Sequence, residues 1–344
     1  PDMPPQIARI AATRMSELPL PLRLSYSGRV LRHAEQQAGK DREIFQSGVE
    51  LIGVDSPEAD AEMIAMAIEA LSAVGASEFT VDIGQVEFFR GVMDGLPLDD
   101  RLAAKIADAV LRKDSSEVSL LLKEAPLEAA SCEEILALPR LFGGREVLDR
   151  AAKAVSNERS LRALDSLEQV LNVLEVYGVD EHVTIDLGEL RGLNYHTGIT
   201  FQGFLSGVGR AVCSGGRYNN LTGKYGFPAP ATGFTFNLQH LLFALDKTLD
   251  AVVAPACDLL IYSTGENLRA AQELACQLRS QGYAVARDML ARTADEALVY
   301  ARQMNYRYLV VVTATDSAVE LINSKDGNKQ TLAWQDLLAV DLRK

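Results

Sequence analysis

The sequence has one tryptophan, four cysteines and four histidines in 344 residues. Cys132, Cys213, Cys257 and Cys276 are too widely spaced for a zinc motif. A chain of this length needs no disulfide staple, so they read as free thiols in a reducing cytoplasm. The scattered histidines add no metal-ligand spacing, so neither a metal enzyme nor a bound cofactor is expected. No apolar run reaches the roughly 20 residues that would span a bilayer. The opening residues lack the basic-then-apolar order of a secretory signal. Positive charge is also scarce: Lys plus Arg is 34 against 47 for Asp plus Glu, a net charge of −13. An acidic surface of that size repels a polyanion and argues against nucleic acid as the main partner.

What is present is ordinary globular material, 48 % hydrophobic and 24 % charged. The length predicts two or three domains. In residues 5–90, Leu22, Leu24 and Tyr26 alternate with Arg23, Ser25 and Ser27, the period-two pattern of a strand. A second strand is expected over 44–53, after a polar loop at 33–43. Asp55-Ser56-Pro57-Glu58 is a helix start, with proline just inside it and acids in the first turn. That helix should run to about Val74, followed by a strand over 79–84.

Residues 91–179 read as a helical insertion, with a turn at Gly143-Gly144. Asp99-Asp100 and Glu133-Glu134 read as solvated helix starts. Strands return over 183–187 and 198–204, followed by Gly-rich turns at 206–209 and 214–216. A strand over 231–236 then leads into a helix over 238–249. From residue 255 strands and helices alternate, and Asp326-Gly327 marks a hairpin, which predicts a small α/β domain with a mainly parallel core. Trp334 reads as a packing residue. This last segment is nearly neutral, with 10 basic and 11 acidic residues, so the acidity sits on residues 1–254.

Four polar segments interrupt the apolar pattern: Pro1-Asp2-Met3-Pro4, residues 32–50, Arg191 to Gly198 (RGLNYHTG) and Ser214 to Tyr218 (SGGRY). On one uninterrupted strand Gln46 and Glu50 share a face. With Arg32 across the hairpin they could hold a zwitterion, arginine taking the carboxylate as a fork and acids taking the ammonium. The alternative is a solvent-facing sheet surface.

These segments resemble the signature blocks of the class II histidyl-tRNA synthetase core. RGLNYHTG resembles a histidine-recognition motif that normally reads RGLDYYTG, and SGGRY resembles the family's glycine-rich strand entry. Residues 32–50 resemble the motif 2 hairpin, and residues 230–241 sit where motif 3 belongs. The resemblance implies an α+β fold, an antiparallel sheet flanked by helices. It implies a core of residues 1–90 and 180–254, a helical insertion at 91–179 and an anticodon-binding-like α/β domain at 255–344. By the same resemblance Asp2, Arg32 and Gln46 face the ammonium and carboxylate region of histidine, and Glu50 its imidazole. Arg191 matches the histidine-specific arginine, and Tyr195, His196 and Tyr218 belong to the pocket. His196 replaces a Tyr and Pro4 a Thr. The chain opens inside what resembles the family's LRPDMT block, so the motif 1 segment, which carries much of the family's dimer interface, is expected to lie outside this sequence.

The ATP side departs from the family. Ala34 stands where motif 2 carries a Glu, and Gln239 and His240 stand where motif 3 ends in Glu-Arg. A histidine is a poor substitute for a permanently charged fork on a phosphate. A histidine pocket without ATP grips resembles the paralogous regulatory subunits of ATP phosphoribosyltransferase. That resemblance implies a cytoplasmic, non-catalytic protein of histidine biosynthesis. It would activate a short-form catalytic subunit and carry allosteric feedback inhibition by L-histidine. Its homodimers would assemble into a hetero-octamer, with neither tRNA nor membrane as partner. The competing readings are an active histidyl-tRNA synthetase and a synthetase-like histidine sensor or scaffold serving another partner.

Overall fold

A computed structural model describes residues 2–31, 43–193, 195–207, 209–245, 258–264, 267–312 and 318–342. Arg32, Ala34, Cys257, the polar loop up to residue 42 and the expected helical residues 246–249 lie outside the described residues. The chain divides into two compact units, the second comprising the residues from 258 onward together with 19–21 and 175–178.

In the first unit, α1 (Met3–Arg14) precedes a hairpin of β1 (Leu22–Leu31) and β2 (Glu43–Ile52). Then come α2 (Pro57–Ala73), β3 (Phe79–Gln85) and α3 (Val86–Met93). The helical stretch holds α4 (Asp100–Leu111), α5 (Ser115–Lys123), α6 (Ala129–Ala137), the two-residue β4 (Phe142–Gly143), α7 (Glu146–Ala154) and α8 (Glu158–Tyr177). It is followed by β5 (Val183–Asp186), β6 (Ile199–Leu205), β7 (Cys213–Arg217), β8 (Ala231–Asn237) and α9 (Leu238–Leu245). Among the described residues the strands form one sheet in the order β1-β2-β8-β7-β6-β3-β5-β4. Its pairs are antiparallel except β3 with β5.

Three expectations need correction. Residues 214–216 are not a turn: they lie inside β7, hydrogen-bonded on both sides by β6 and β8. Glycines read locally as a turn, but the two neighbouring strands supply every backbone partner there. Gly143 likewise belongs to a strand, pairing with Ile185. Glu133 and Glu134 lie inside α6 rather than at its start, and Glu134 accepts from the backbone and hydroxyl of Ser156.

The core lies between this sheet and α2, which packs across β3, β6, β7 and β8. Ile64, Ile68 and Leu71 of α2 and Leu51, Ile83 and Phe201 of the sheet are all essentially solvent-free. Each such side chain contributes about 1.5–3 kcal/mol on burial. α2 begins as expected: Ser56 Oγ accepts from Ala59 N at 3.3 Å, with Pro57 in the first turn. The entry to α2 is bolted to β7 by Arg217. Its Nε meets Asp60 Oδ2 at 2.9 Å and its Nη1 meets Asp55 Oδ1 at 2.9 Å. It also donates to the carbonyls of Val54 and Ser56 at 3.1 Å each.

The second unit is a five-stranded sheet in the order β10-β9-β11-β12-β13 among the described residues. Its elements are β9 (Asp258–Ser263), α10 (Leu268–Ser280), β10 (Ala284–Arg287), α11 (Ala294–Gln303), β11 (Tyr308–Val312), β12 (Ala318–Asn323), β13 (Lys329–Ala333) and α12 (Trp334–Ala339). β9, β10 and β11 are parallel, and the hairpin of β12 and β13 adds antiparallel strands. One apolar cluster includes Leu274, Leu278 and Leu337, with Trp334 packed against it, and another holds Ala297 and Tyr300. The Trp334 indole N–H donates to Gln277 Oε1 at 2.7 Å.

Arg217→Met should unfold at markedly lower denaturant, because it leaves the buried Asp60 carboxylate without its cation, a loss of roughly 3–5 kcal/mol. Adding Asp60→Asn should recover part of that loss in chemical denaturation. A double variant no more stable than the single would show that Asp60 is not the source of the penalty.

A histidine-sized cavity in the first unit

The hairpin pattern places Gln46 and Glu50 on one face of β2, and that face is buried: the two residues are 3 % and 2 % exposed. They line a cavity of about 550 Å³, which removes the solvent-facing alternative. The first turn of α1 contributes Asp2 and Pro4, and the loop before β6 contributes Arg191, Tyr195 and His196. Tyr218, just after β7, completes the wall. Every candidate histidine-site residue except Arg32, which lies outside the described residues, therefore lines one cavity.

Glu50 sits at its floor, opposite Gly233 of β8. A Cβ on Gly233 would lie 1.9 Å from Glu50 Oε2, so only glycine leaves room for the carboxyl group. The Tyr218 hydroxyl donates to that same Oε2. Burial pushes the Glu50 carboxyl up to about 8, although the Tyr218 bond opposes the rise. Glu50 is therefore largely protonated at neutral pH. Among the described residues, Tyr195 Oη and Thr200 Oγ1 are buried without hydrogen-bond partners, and both residues line the cavity with Glu50. Unmet polar atoms on an otherwise enclosed wall are costly unless a polar ligand meets them.

The remaining walls are held in place. The Tyr195 ring stacks on Tyr218 with centroids 5.2 Å apart and meets His196 edge-on at 4.9 Å. His196 Nδ1 donates to the Arg217 carbonyl at 3.3 Å, which leaves Nε2 as an acceptor. Burial holds this imidazole down at about 4, so it is neutral. Gln46 Oε1 accepts from Met3 N at 3.2 Å, tying the start of α1 to β2. At the rim, Arg191 Nη1 pairs with Glu189 Oε2 at 3.2 Å and donates to Gln202 Oε1 at 2.6 Å.

Sequence reasoning missed Glu189, Gln202 and Thr200. Gln202 had a signal, a lone carboxamide in the apolar strand ITFQGFL. Glu189 had none beyond its nearness to Arg191. Gln239 and His240 do not line this cavity. Gln239 accepts from Phe45 N at 3.1 Å and donates to the Glu43 carbonyl at 3.0 Å. His240 Nδ1 donates to the Ala211 carbonyl at 2.9 Å. His240 lines a smaller neighbouring cavity of about 330 Å³, beside Cys213 and Arg210.

The histidyl-tRNA synthetase family matches residues 1–241. A regulatory subunit of ATP phosphoribosyltransferase from Syntrophotalea carbinolica is 61 % identical over 343 residues, spanning 100 % of this chain and 80 % of that protein. The chain belongs to the ATP phosphoribosyltransferase regulatory subunits of the histidyl-tRNA synthetase family. The Geobacter sulfurreducens regulatory subunit is 53 % identical over 96 % of this chain and 76 % of its own length. Among solved structures, a Bacillus halodurans protein described as an ATP phosphoribosyltransferase regulatory subunit/histidyl-tRNA synthetase aligns with a TM-score of 0.66. It is 33 % identical and covers 92 % of this chain and 79 % of that one. Histidyl-tRNA synthetase from Nostoc, at 24 % identity and a TM-score of 0.59 over 97 % of this chain and 80 % of its own, shares the fold. The mixed α+β, class II synthetase-like architecture expected from the motifs is the architecture observed.

The raised Glu50 carboxyl has a consequence for stability. Its unfolded value is near 4.5 and its folded value about 8, so the folded state holds the extra proton between them. Stability from this group is complete below pH 4.5 and is lost as pH rises through 8, each unit of difference being worth about 1.4 kcal/mol. Glu50→Gln should remove that slope, so its advantage over the parent protein should grow from pH 5 to pH 9 in thermal melts. Parallel curves across this range would show that Glu50 is not held protonated.

Proposed function

We propose that this regulatory subunit is non-catalytic and binds L-histidine in the cavity beneath α1. It activates a short-form ATP phosphoribosyltransferase subunit and carries feedback inhibition by histidine to it. In this reading residues 1–90 and 180–254 form the synthetase-like core, 91–179 the insertion and 255–344 an anticodon-binding-like domain. Its homodimers assemble with catalytic subunits into a cytoplasmic hetero-octamer, without tRNA.

The observation that carries the reading is the floor of the cavity. Glu50 and Tyr195 both line it, and an imidazole supplies a donor and an acceptor on opposite sides of one small ring. Arg191 and Gln46, with Asp2 near the mouth, suit the carboxylate and ammonium of the same ligand. The non-catalytic reading is supported by Gln239 and His240, whose side chains are engaged with backbone groups. Neither offers the fixed positive charge that stabilises a reacting phosphate. Among the described residues no helix is long and apolar enough to cross a membrane.

Allostery of this kind needs histidine to bind two states of the assembly unequally, and coupling of about 1–3 kcal/mol gives roughly 5–150-fold inhibition. Calorimetry should show histidine binding, weakened by about 1–3 kcal/mol in Glu50→Ala and in Arg32→Ala through loss of hydrogen bonds to the ligand. Normal binding by both variants would place the ligand elsewhere. Histidine-dependent exchange of pyrophosphate into ATP should be absent, and its detection would restore the synthetase reading. A short-form catalytic subunit should gain activity on mixing and lose it again on adding histidine. Failure of stimulation at every ratio tested would favour a different partner.

Binding should also depend on pH. The bound site holds one proton between Glu50 and the imidazole, and the free site loses that proton above about pH 8. Affinity should therefore be level near pH 7 and decline between pH 8 and 9, and Glu50→Gln should flatten the decline.

A further inference from the structure

Arg191 does not reach the cavity rim unaided. Behind it lies a cluster of three carboxyl groups, Asp82, Asp186 and Glu189, with two cations facing it, Arg191 and Lys113. Lys113 comes from the helical stretch, just past the end of α4. Its φ of +58° is left-handed, a conformation that favours glycine and is strained for lysine. A strained residue kept at a fixed place invites the question of what its side chain does.

The side chain reaches 73 positions along the chain to Asp186, and its ammonium contacts Oδ1. It also lies 5.9 Å from the centre of the Phe142 ring. Room for it comes from Gly188, where a Cβ would stand 2.6 Å from Nζ. Asp186 Oδ1 accepts from Gly188 N at 2.9 Å, fixing the turn that leads to Glu189. Glu189 Oε1 then accepts from Arg191 N at 2.9 Å while Oε2 holds the guanidinium. An unbroken run of contacts thus joins the end of α4 to the arginine at the mouth of the cavity.

We propose that Lys113 is a positioning residue: by neutralising Asp186 it leaves Arg191 to Glu189 and Gln202, with guanidinium donors directed to the ligand's carboxylate. Without Lys113, Arg191 faces three acids as their one close cation among the described residues. It is drawn back into the cluster, and the uncompensated charge of Asp186 repels an arriving carboxylate. Asp82 fits this arrangement. Its carboxyl is pushed up to about 6, first by burial and then by Asp186 and Glu189, with Lys113 and Arg191 acting against the rise.

The inference rests on the reading of the cavity as a histidine site, and the test separates the two. L-histidine and L-histidinol are titrated by calorimetry into the parent chain, Lys113→Met, and Lys113→Met combined with Asp186→Asn. Histidinol keeps the imidazole and ammonium but carries a hydroxymethyl group in place of the carboxylate. Lys113→Met should bind histidine about tenfold more weakly and histidinol within about twofold of the parent, as expected for one added charge near the carboxylate. The double variant should regain most of the loss, since the offending carboxylate is gone. Equal weakening of both ligands, no weakening of either, or no recovery in the double variant would overturn the proposal.

If the parent chain binds neither ligand, the histidine reading fails and labelling of Arg191 by phenylglyoxal, mapped by mass spectrometry, decides. A rate altered at least about threefold in Lys113→Met and restored in the double variant supports the positioning role. An unchanged rate overturns it.

Discussion

A carboxyl group buried in the middle of an antiparallel sheet is the constraint to which the first unit answers. Glu50 has no cation beside it among the described residues, so burial keeps its proton on. The neighbouring strand must be glycine opposite it, since any side chain at 233 would fill the same space. The Tyr218 hydroxyl covers one oxygen, and the stack of Tyr195 on Tyr218 closes the side of the cavity. A hydrophobic side chain at position 50 would carry none of this desolvation cost. In the proposed reading, a buried acid on the cavity wall makes physical sense as half of a contact whose other half is a ligand.

Arg217 supplies the opposite kind of order. Its guanidinium meets acceptors from the start of α2 on every side, and its carbonyl holds the His196 ring. One residue therefore connects the helix that carries the core to the loop that walls the cavity. Buried ion pairs of this sort are weak contributors to net stability but strong enforcers of one arrangement, because breaking them leaves a charge in the interior.

Much of this was legible in the sequence, for reasons that differ by residue. Period-two spacing put Gln46 and Glu50 on one face, and Ser56-Pro57 marked the start of α2, because both signals are local. The motif RGLNYHTG located Arg191 and His196. What sequence reasoning lost was non-local. Ser214-Gly215-Gly216 has the composition of a turn, and only the two flanking strands make it a strand. Phe142-Gly143 becomes β4 solely through its pairing with β5. Glu189 and Lys113 gained their places from contacts made 2 and 73 positions away in sequence. No local periodicity encodes such contacts. Thr200 and Gln202 sit on an inward face that only the sheet order assigns to the cavity.

The hydrogen bond from His196 to the Arg217 carbonyl fixes which ring nitrogen carries the proton, and that choice sets the chemical sense of one wall. The other ring nitrogen then carries a lone pair, and the anchor behind the ring is itself locked. A ligand therefore meets a surface that neither rotates to accommodate it nor changes tautomer without surrendering an internal bond. In the proposed histidine site such a wall is a fixed template, whose preset tautomer and ring position cost a bound ligand little further loss of conformational freedom.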